Sequence, residues 1–374
     1  MIARFNVLGL KAALATVMPV VPKNSPQPIL QAVKLVCSES ESKLIANNLD
    51  QSISYTVAGV TVSEAGEILL SPVWLKEILD KLKTDTEIEI RSNENKVCVT
   101  EKSGKWNFTS QDPVRFPSPE NPTIEKLRGL CVDMTDLQKA IDLTIVCTDP
   151  ESTRYALSGV LFEPDPIRKE LRLVATDGRR LVLATLDNAQ ITHELDGDIA
   201  FTTVVPAKAL QILSKIKGEE FCDIAITGKN AYFRTSRAVI CTRLVEGRFP
   251  RYQDVIPQSG NTVVRALPKE FAEAVSKANV STSEESRAVK MSFQSDLGLC
   301  KLTARSADAG DAVTTCEVVT EGDAVDISID PNYLLPVLQK ITSPIEIHLT
   351  NSKSAMLIKS PNCDMVVMPL TPEA

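Results

Sequence analysis

Glycine is spread too thinly for a phosphate-binding loop. The closest of the 15 glycines, Gly59 and Gly66, lie seven residues apart. Dinucleotide fingerprints, Walker loops and nucleophile elbows need glycines two to five residues apart, so that backbone can approach a phosphate or expose a nucleophile. Histidine is almost missing: His193 lies in the polar stretch Thr192 to Gly197, and His348 alternates with Ile347 and Leu349 in a strand pattern. Both are expected to be solvated, which leaves no histidine-based acid–base site. Carboxylates such as Asp323 and Asp326 have no surrounding motif and read as solvated charges. Nine cysteines, at 37, 98, 131, 147, 222, 241, 300, 316 and 363, form no close pair. An odd, scattered set argues against a disulfide framework or a zinc site and for small core hydrophobes in a reducing cytosol. Long apolar runs are lacking too. The N-terminus has no basic stretch before an apolar segment, and Thr16 to Val21 is broken by Pro19, so neither a secretion signal nor a membrane span is expected. The expectation is a cytoplasmic, non-catalytic protein without metal or cofactor.

What is present is ordinary globular material in more than one domain. A length of 374 residues implies two or three domains, and 43% hydrophobic with 24% charged residues is enough for a core in each. The net charge of −7 by itself counts against a nucleic-acid partner.

An internal repeat organises the chain. Leu44-Ile45-Ala46-Asn47-Asn48 resembles Leu173-Val174-Ala175-Thr176-Asp177 and Leu302-Thr303-Ala304-Arg305-Ser306, with one spacing of 129 residues met twice. A proline opens an amphipathic run at Pro72, Pro206 and Pro331, and an alternating strand follows at Glu87–Ile90, Asp223–Ile226 and Ile345–Leu349. Phe116-Pro117, Phe249-Pro250 and Met368-Pro369 close the copies. Four anchors in one order, three times, predict three domains, 1–128, 129–259 and 260–374, divided near Pro119 to Gly129 and near Pro257 to Asn261. Each is expected to be an α+β layer, two helices on an antiparallel sheet. The second helices bury Leu75, Ile78, Leu79 and Leu82 in copy one and Leu210, Leu213 and Ile216 in copy two. The first helices are expected at Leu10 to Val17, Met134 to Ile145 and Leu267 to Ala278, with Leu267, Phe271 and Val275 buried in the last.

Opposite the apolar stripe of the second helices lie lysines: Lys76 and Lys83 in one copy, Lys208 and Lys215 in the next, each pair seven apart, with Lys217 beyond. Seven residues are two helical turns, so each pair is expected on one face. If two chains closed into a ring with twelve helices inside, ~9 Å spacing between axes would give a circumference of ~110 Å and a hole of roughly 24 Å. A duplex fits that hole. An acidic exterior and a basic lining would reconcile the net charge with weak, sequence-independent phosphate contacts.

Several segments resemble one family. They are Leu173 to Leu181 (LVATDGRRL), Glu246 to Tyr252 (EGRFPRY) with Pro257, Arg154 to Gly159 (RYALSG), Gln27 to Leu30 (QPIL) and Val366 to Leu370 (VVMPL). Together they resemble the bacterial beta sliding clamp, the processivity subunit of the replicative DNA polymerase, over the whole chain. The resemblance implies a head-to-tail homodimeric ring around duplex DNA, placed there by a clamp loader. It also implies a pocket where replicative, repair and translesion polymerases dock a short motif rich in Gln, Leu and Phe. Carried over by position, the pocket comprises Leu157, Thr176, Gly178, Arg179, Arg180, Leu181, Pro250, Val255, Tyr333, Met368, Pro369 and Leu370. Lys23, Arg154 and Tyr155 join Lys76, Lys83, Lys208, Lys215 and Lys217 as expected DNA-facing positions. The chain departs from the family at Arg179, where histidine is common, at Asp254, where a basic residue is frequent, and at Asn24, where arginine is usual. It also continues into Thr371-Pro372-Glu373-Ala374 in place of a basic-apolar end.

The strand Lys105 to Thr109 puts Trp106 and Phe108 on one face in a protein with only 5% aromatic residues, which suits an interface. The resemblance sets this strand against domain three of a partner, near Val280. Two other readings stay open: a three-domain scaffold that uses the pocket without encircling DNA, and an enzyme whose site is assembled between repeats. Lys208, Lys215 and Lys217 speak against the first. The shortage of glycine and histidine speaks against the second.

Overall fold

The computed structural model describes residues 1–117, 129–152, 155–165, 167–191, 202–258, 260–283, 287–294, 298–307 and 309–370. His193, most of the first expected linker and Ser259 of the second lie outside them, as does Arg154. Among the described residues one order of elements occurs three times. Copy one runs β1 (Ile2–Asn6), α1 (Val7–Val17), β2 (Val33–Cys37), β3 (Ser42–Asn47), β4 (Gln51–Thr56), β5 (Val60–Glu64), β6 (Gly66–Leu70), α2 (Pro72–Lys81), β7 (Glu87–Asn93), β8 (Lys96–Glu101) and β9 (Gly104–Thr109). Copy two runs β10 (Gly129–Asp133), α3 (Met134–Ile145), β11 (Gly159–Asp165), β12 (Glu170–Thr176), β13 (Arg180–Leu186), β14 (Gln190–Ile191), β15 (Thr203–Pro206), α4 (Ala207–Leu213), β16 (Phe221–Thr227), β17 (Asn230–Arg234) and β18 (Ala238–Arg243). Copy three runs β19 (Thr262–Ala266), α5 (Pro268–Asn279), β20 (Val289–Phe293), β21 (Leu299–Ser306), β22 (Gly310–Glu317), β23 (Val319–Glu321), β24 (Val325–Ile329), α6 (Pro331–Leu338), β25 (Ile345–Leu349), β26 (Met356–Ser360) and β27 (Cys363–Val367).

The strands of each copy divide between two sheets. Copy one places β5-β1-β7-β8-β9 in a five-stranded sheet, while its other four strands join copy two in a nine-stranded sheet, β14-β10-β16-β17-β18-β4-β3-β2-β6. Copy two's remaining strands join copy three in β15-β11-β12-β13-β27-β26-β25-β19-β23, and β22-β21-β20-β24 is left as a four-stranded sheet. The chain accordingly clusters into two compact units that cut through copy two. One is Met1–Thr135, Ala189–Ile199 and Lys208–Leu244, and the other is Asp136–Asn188, Ala200–Ala207 and Val245–Ala374.

The helices follow their apolar periodicity. In α1 the Asn6 side chain caps the first turn by accepting from the amides of Leu8 and Gly9, and Val7, Leu10, Ala13, Leu14 and Val17 are buried. Leu75, Ile78 and Leu79 are buried in α2, as are Phe271, Ala274, Val275 and Ala278 in α5. Proline occupies the first turn of α2, α5 and α6, where its missing N–H leaves no hydrogen bond unmade.

Several expectations need correction. Leu267 is the N-cap of α5 and 51% exposed, because the helix begins one residue later, at Pro268. The helix α2 ends at Lys81 and α4 at Leu213, so Lys83, Lys215 and Lys217 lie past the helices and the two-turn argument does not hold for either pair. His348 is not solvated: its side chain is 17% exposed, 3.7 Å from Glu346, and its Nε2 is buried without a hydrogen-bond partner. Six cysteines are buried and all nine are free; Cys300 stands opposite Cys316 across β21 and β22.

Gly9 marks a close approach, since a Cβ there would collide with the backbone carbonyl of Ala58. Gly9→Ala is therefore expected to lower stability by about 1–3 kcal/mol, read as a lower denaturation midpoint for the substituted protein.

Candidate partner-binding site

The candidate site lies within the second compact unit, where β13 pairs antiparallel with β27, Arg180 opposite Val367 and Leu181 opposite Val366. The turn before β13 is tightly built. Thr176 Oγ1 donates to the Arg180 carbonyl at 2.7 Å and accepts from the Gly178 amide at 3.1 Å. Asp177 Oδ1 accepts from the Arg179 and Arg180 amides. Gly178 has φ +86°, a left-handed conformation that glycine takes without strain. The Met368 amide donates to the Arg179 carbonyl at 2.9 Å, which fixes the segment after β27 beside the turn.

These elements enclose a cleft of about 170 Å³ lined by Leu157, Thr176, Gly178, Arg179, Arg180, Leu181, Pro250 and Val255, together with Met368. Nine of the twelve positions expected from the sequence meet there. Tyr333, Pro369 and Leu370 do not line the cleft. Tyr333 lies beneath two guanidinium groups, 5.8 Å from Arg179 and 5.6 Å from Arg180, and the Leu370 amide is tied to the Ser328 carbonyl. Arg251, Tyr252 and Val366 line it as well. Val366 was legible as an alternate position of a terminal strand, and Arg251 and Tyr252 belong to the run Glu246 to Tyr252, but spacing alone does not show which face of that run turns inward.

The wall is also core. Leu181 is 4% exposed and packs with Leu161, Val174, Val204, Tyr252, Leu357 and Val366, whereas Met368 and Val255 are 47% and 55% exposed. The floor is thus part of the packed core and the rim is open to solvent, as expected of a slot for an apolar anchor.

Charge divides the arginines. Arg180 is half-buried and held from several sides: its Nε donates to Asp177 at 2.9 Å, and its remaining nitrogens donate to the carbonyls of Asn332, Tyr333 and Val146. Arg179, next in the chain, is exposed. Tyr252 is buried and its hydroxyl donates to Glu163, which lies 3.9 Å from Arg172. Burial first, then the hydrogen bond to Glu163, pushes the phenol up to about 12.

Elsewhere the expected positions scatter. Lys23, Lys76, Lys83, Lys208, Lys215 and Lys217 are all exposed, but Lys76 is paired with Asp80. Tyr155 opens a short 3₁₀ helix, Tyr155–Ser158. Trp106 and Phe108 are half-buried on β9, the edge of its sheet, and Phe108 packs against Trp74 with ring centroids 5.2 Å apart. Trp74 stands in α2, in the amphipathic run opened by Pro72, where spacing alone does not show this contact. Val280 caps the end of α5 and is 78% exposed. Among the described residues no group of three His, Cys, Asp or Glu side chains is placed to hold a metal ion, and no helix is long and apolar enough to cross a membrane.

A threefold repeat whose neighbouring copies share sheets, with an apolar slot beside β13 and β27, defines a clamp-type protein. Family models match in the same order: the DNA polymerase III beta subunit N-terminal domain over residues 4–119, its central domain over 131–251 and its C-terminal domain over 253–371. The beta sliding clamp of Pseudomonas aeruginosa is 29% identical over 96% of both chains, and that of Bacillus subtilis 28% identical over 95% of both. A solved sliding clamp from Pseudomonas aeruginosa, bound to griselimycin, superposes with a TM-score of 0.89 at 26% identity over 99% of both chains. The chain belongs to the bacterial beta sliding clamp family, the non-catalytic processivity subunit of DNA polymerase III.

The raised phenol gives a pH prediction. Its folded pKa exceeds that of an unfolded tyrosine, about 10, so its contribution to stability is complete below that value and is lost as pH rises towards 12. Unfolding measurements across this window should show stability falling with pH, and Tyr252→Phe should flatten the slope.

Proposed function

We propose that two copies of this chain join head to tail around duplex DNA and tether polymerases to it, so that synthesis continues without dissociation. The observation that carries this reading is which strands pair between neighbouring copies. Each of the two shared sheets is made by pairing equivalent strands: β18 with β4, and β27 with β13. The equivalent strand in copy one is β9 and the equivalent partner in copy three is β22, and each ends its sheet. An unpaired edge invites a partner strand, and two chains satisfy both edges at once.

The internal pairings also suggest the register. Ala46, Ala175 and Ala304 stand opposite Ile53, Val182 and Ala312 in their respective copies. Val99, Phe233 and Ile358 likewise stand opposite Trp106, Ile240 and Met365. Since Ile53 faces Ile240 and Val182 faces Met365, Trp106 should face Ala312 of the partner subunit. A large ring against a small side chain is a favourable packing arrangement for a seam. Phe108 and Val280 belong to the same interface in this reading.

The repeats are the domains 1–128, 129–259 and 260–374. The exposed lysines Lys23, Lys83, Lys208, Lys215 and Lys217, with Arg154 and Tyr155, face the DNA. Lys208, Lys215 and Lys217 have no carboxylate partner among the described residues, which suits mobile phosphate contacts; Lys76 contributes less because Asp80 neutralises it. The cleft beside β13 takes the docking motif of the replicative polymerase, the clamp loader, and repair and translesion polymerases in the cytoplasm.

Two outcomes test this. Sedimentation at nanomolar concentration should show a dimer for the native chain and dissociation for Trp106→Ala; an unchanged dimer in the variant would remove the proposed seam. A fluorescent Gln-Leu-x-Leu-Phe peptide should bind, and Met368→Ala should weaken it roughly tenfold, with stability unchanged because Met368 is half-exposed. Leu181→Ala is the poorer probe, since it removes a core side chain. No binding to the native chain would contradict the docking role.

A further inference from the structure

A second cavity adjoins the candidate cleft. It holds about 410 Å³ between β15 and the segment from Val245 to Gln253, and it shares Pro250, Arg251 and Tyr252 with the cleft. The two share this wall, and slot and trough together are called the groove.

The charged side chains lining this groove are Glu163, Arg179, Arg180, Arg248 and Arg251. Two of them are spoken for. Arg180 is paired with Asp177, and Glu163 accepts from Tyr252 and neighbours Arg172. Arg179, Arg248 and Arg251 are exposed and have no carboxylate partner among the described residues. Glu246 lies within the segment and Asp254 just after it, but neither lines either cavity. Three unpaired guanidinium groups along one groove stand out in a chain of net charge −7. Their forked donors match carboxylates, and an exposed cation without a carboxylate partner has no ion pair within the chain to give up on binding an acid.

We infer that the groove selects acidic peptides: an apolar anchor fills the slot, and aspartate or glutamate residues adjoining that anchor run into the trough, where Arg248 and Arg251 receive them while Arg179 guards the slot. The inference rests on the docking role proposed above for the slot. It adds a chemical class of partner, acidic in the residues flanking its anchor, and assigns Arg248 as a specificity-determining residue.

The test compares three fluorescent peptides: the Gln-Leu-x-Leu-Phe core and the same core extended by Asp-Glu-Asp at one end or the other. One extended peptide should bind about twofold to tenfold more tightly than the core, from one or two exposed ion pairs at roughly twofold to threefold each. That gain should shrink at high salt. Arg248→Glu should abolish it and Arg248→Lys should keep part of it. The core peptide should bind Arg248→Glu as it binds the native chain, because Arg248 lines only the trough. If neither extension improves on the core, or if the gain survives Arg248→Glu, the trough has no such role. If the core itself fails to bind, the docking role of the slot falls, and this inference with it.

Discussion

A strand edge carries a row of unpaired amide and carbonyl groups, and the arrangement of this chain follows from how those edges are covered. Each copy of the repeat divides its strands between two sheets, and its fourth strand ends its part of one while its ninth ends its part of the other. Pairing of β18 with β4 and of β27 with β13 covers four such edges. The same rule leaves β9 and β22 open, and it is the rule, more than any single side chain, that makes a second copy of the chain the natural partner. Val313 on β22 is exposed, and Trp106 and Phe108 on β9 are half-buried, which gives apolar material to both edges.

The repeat was legible in the sequence because its anchors are backbone devices. Proline at a helix start and alternation in a strand survive divergence between copies, and α2, α6, β7, β16 and β25 lie where those signals point. The sharing of sheets between copies was not legible, since alternation shows that a strand is half-buried without naming its neighbour. Helix ends were missed for a similar reason. Lys83 and Lys215 continue a plausible 3.6-residue spacing, yet Leu82 turns extended and α4 closes at Leu213. Spacing does not reveal where the helical hydrogen bonds stop.

The cleft shows the same division. Residues in the turn Thr176 to Leu181 and at Met368 could be placed from motif resemblance, because a short turn fixes its own neighbours. Tyr333, carried over in the same way, stands on α6 against the guanidinium groups of Arg179 and Arg180 and not among the cleft's lining side chains. Leu181 belongs to core and cleft together; such double use makes the slot's floor part of the packed core while Met368 and Val255 stay exposed at its rim. The contrast between Arg180, fixed by Asp177 and three carbonyls, and Arg179, exposed over the Tyr333 ring without a carboxylate partner among the described residues, separates a structural cation from one available to a ligand.

The claim on which the rest depends is that β9 of one chain pairs antiparallel with β22 of another and that two chains close. The inferred register sets Asn107 opposite Asp311 of the partner subunit, and directly opposed residues lie within disulfide reach. Oxidation of an Asn107→Cys, Asp311→Cys double variant should yield one discrete two-chain product joined at both seams, absent from either single variant. An open ladder of longer products, or no cross-link at all, would contradict the account.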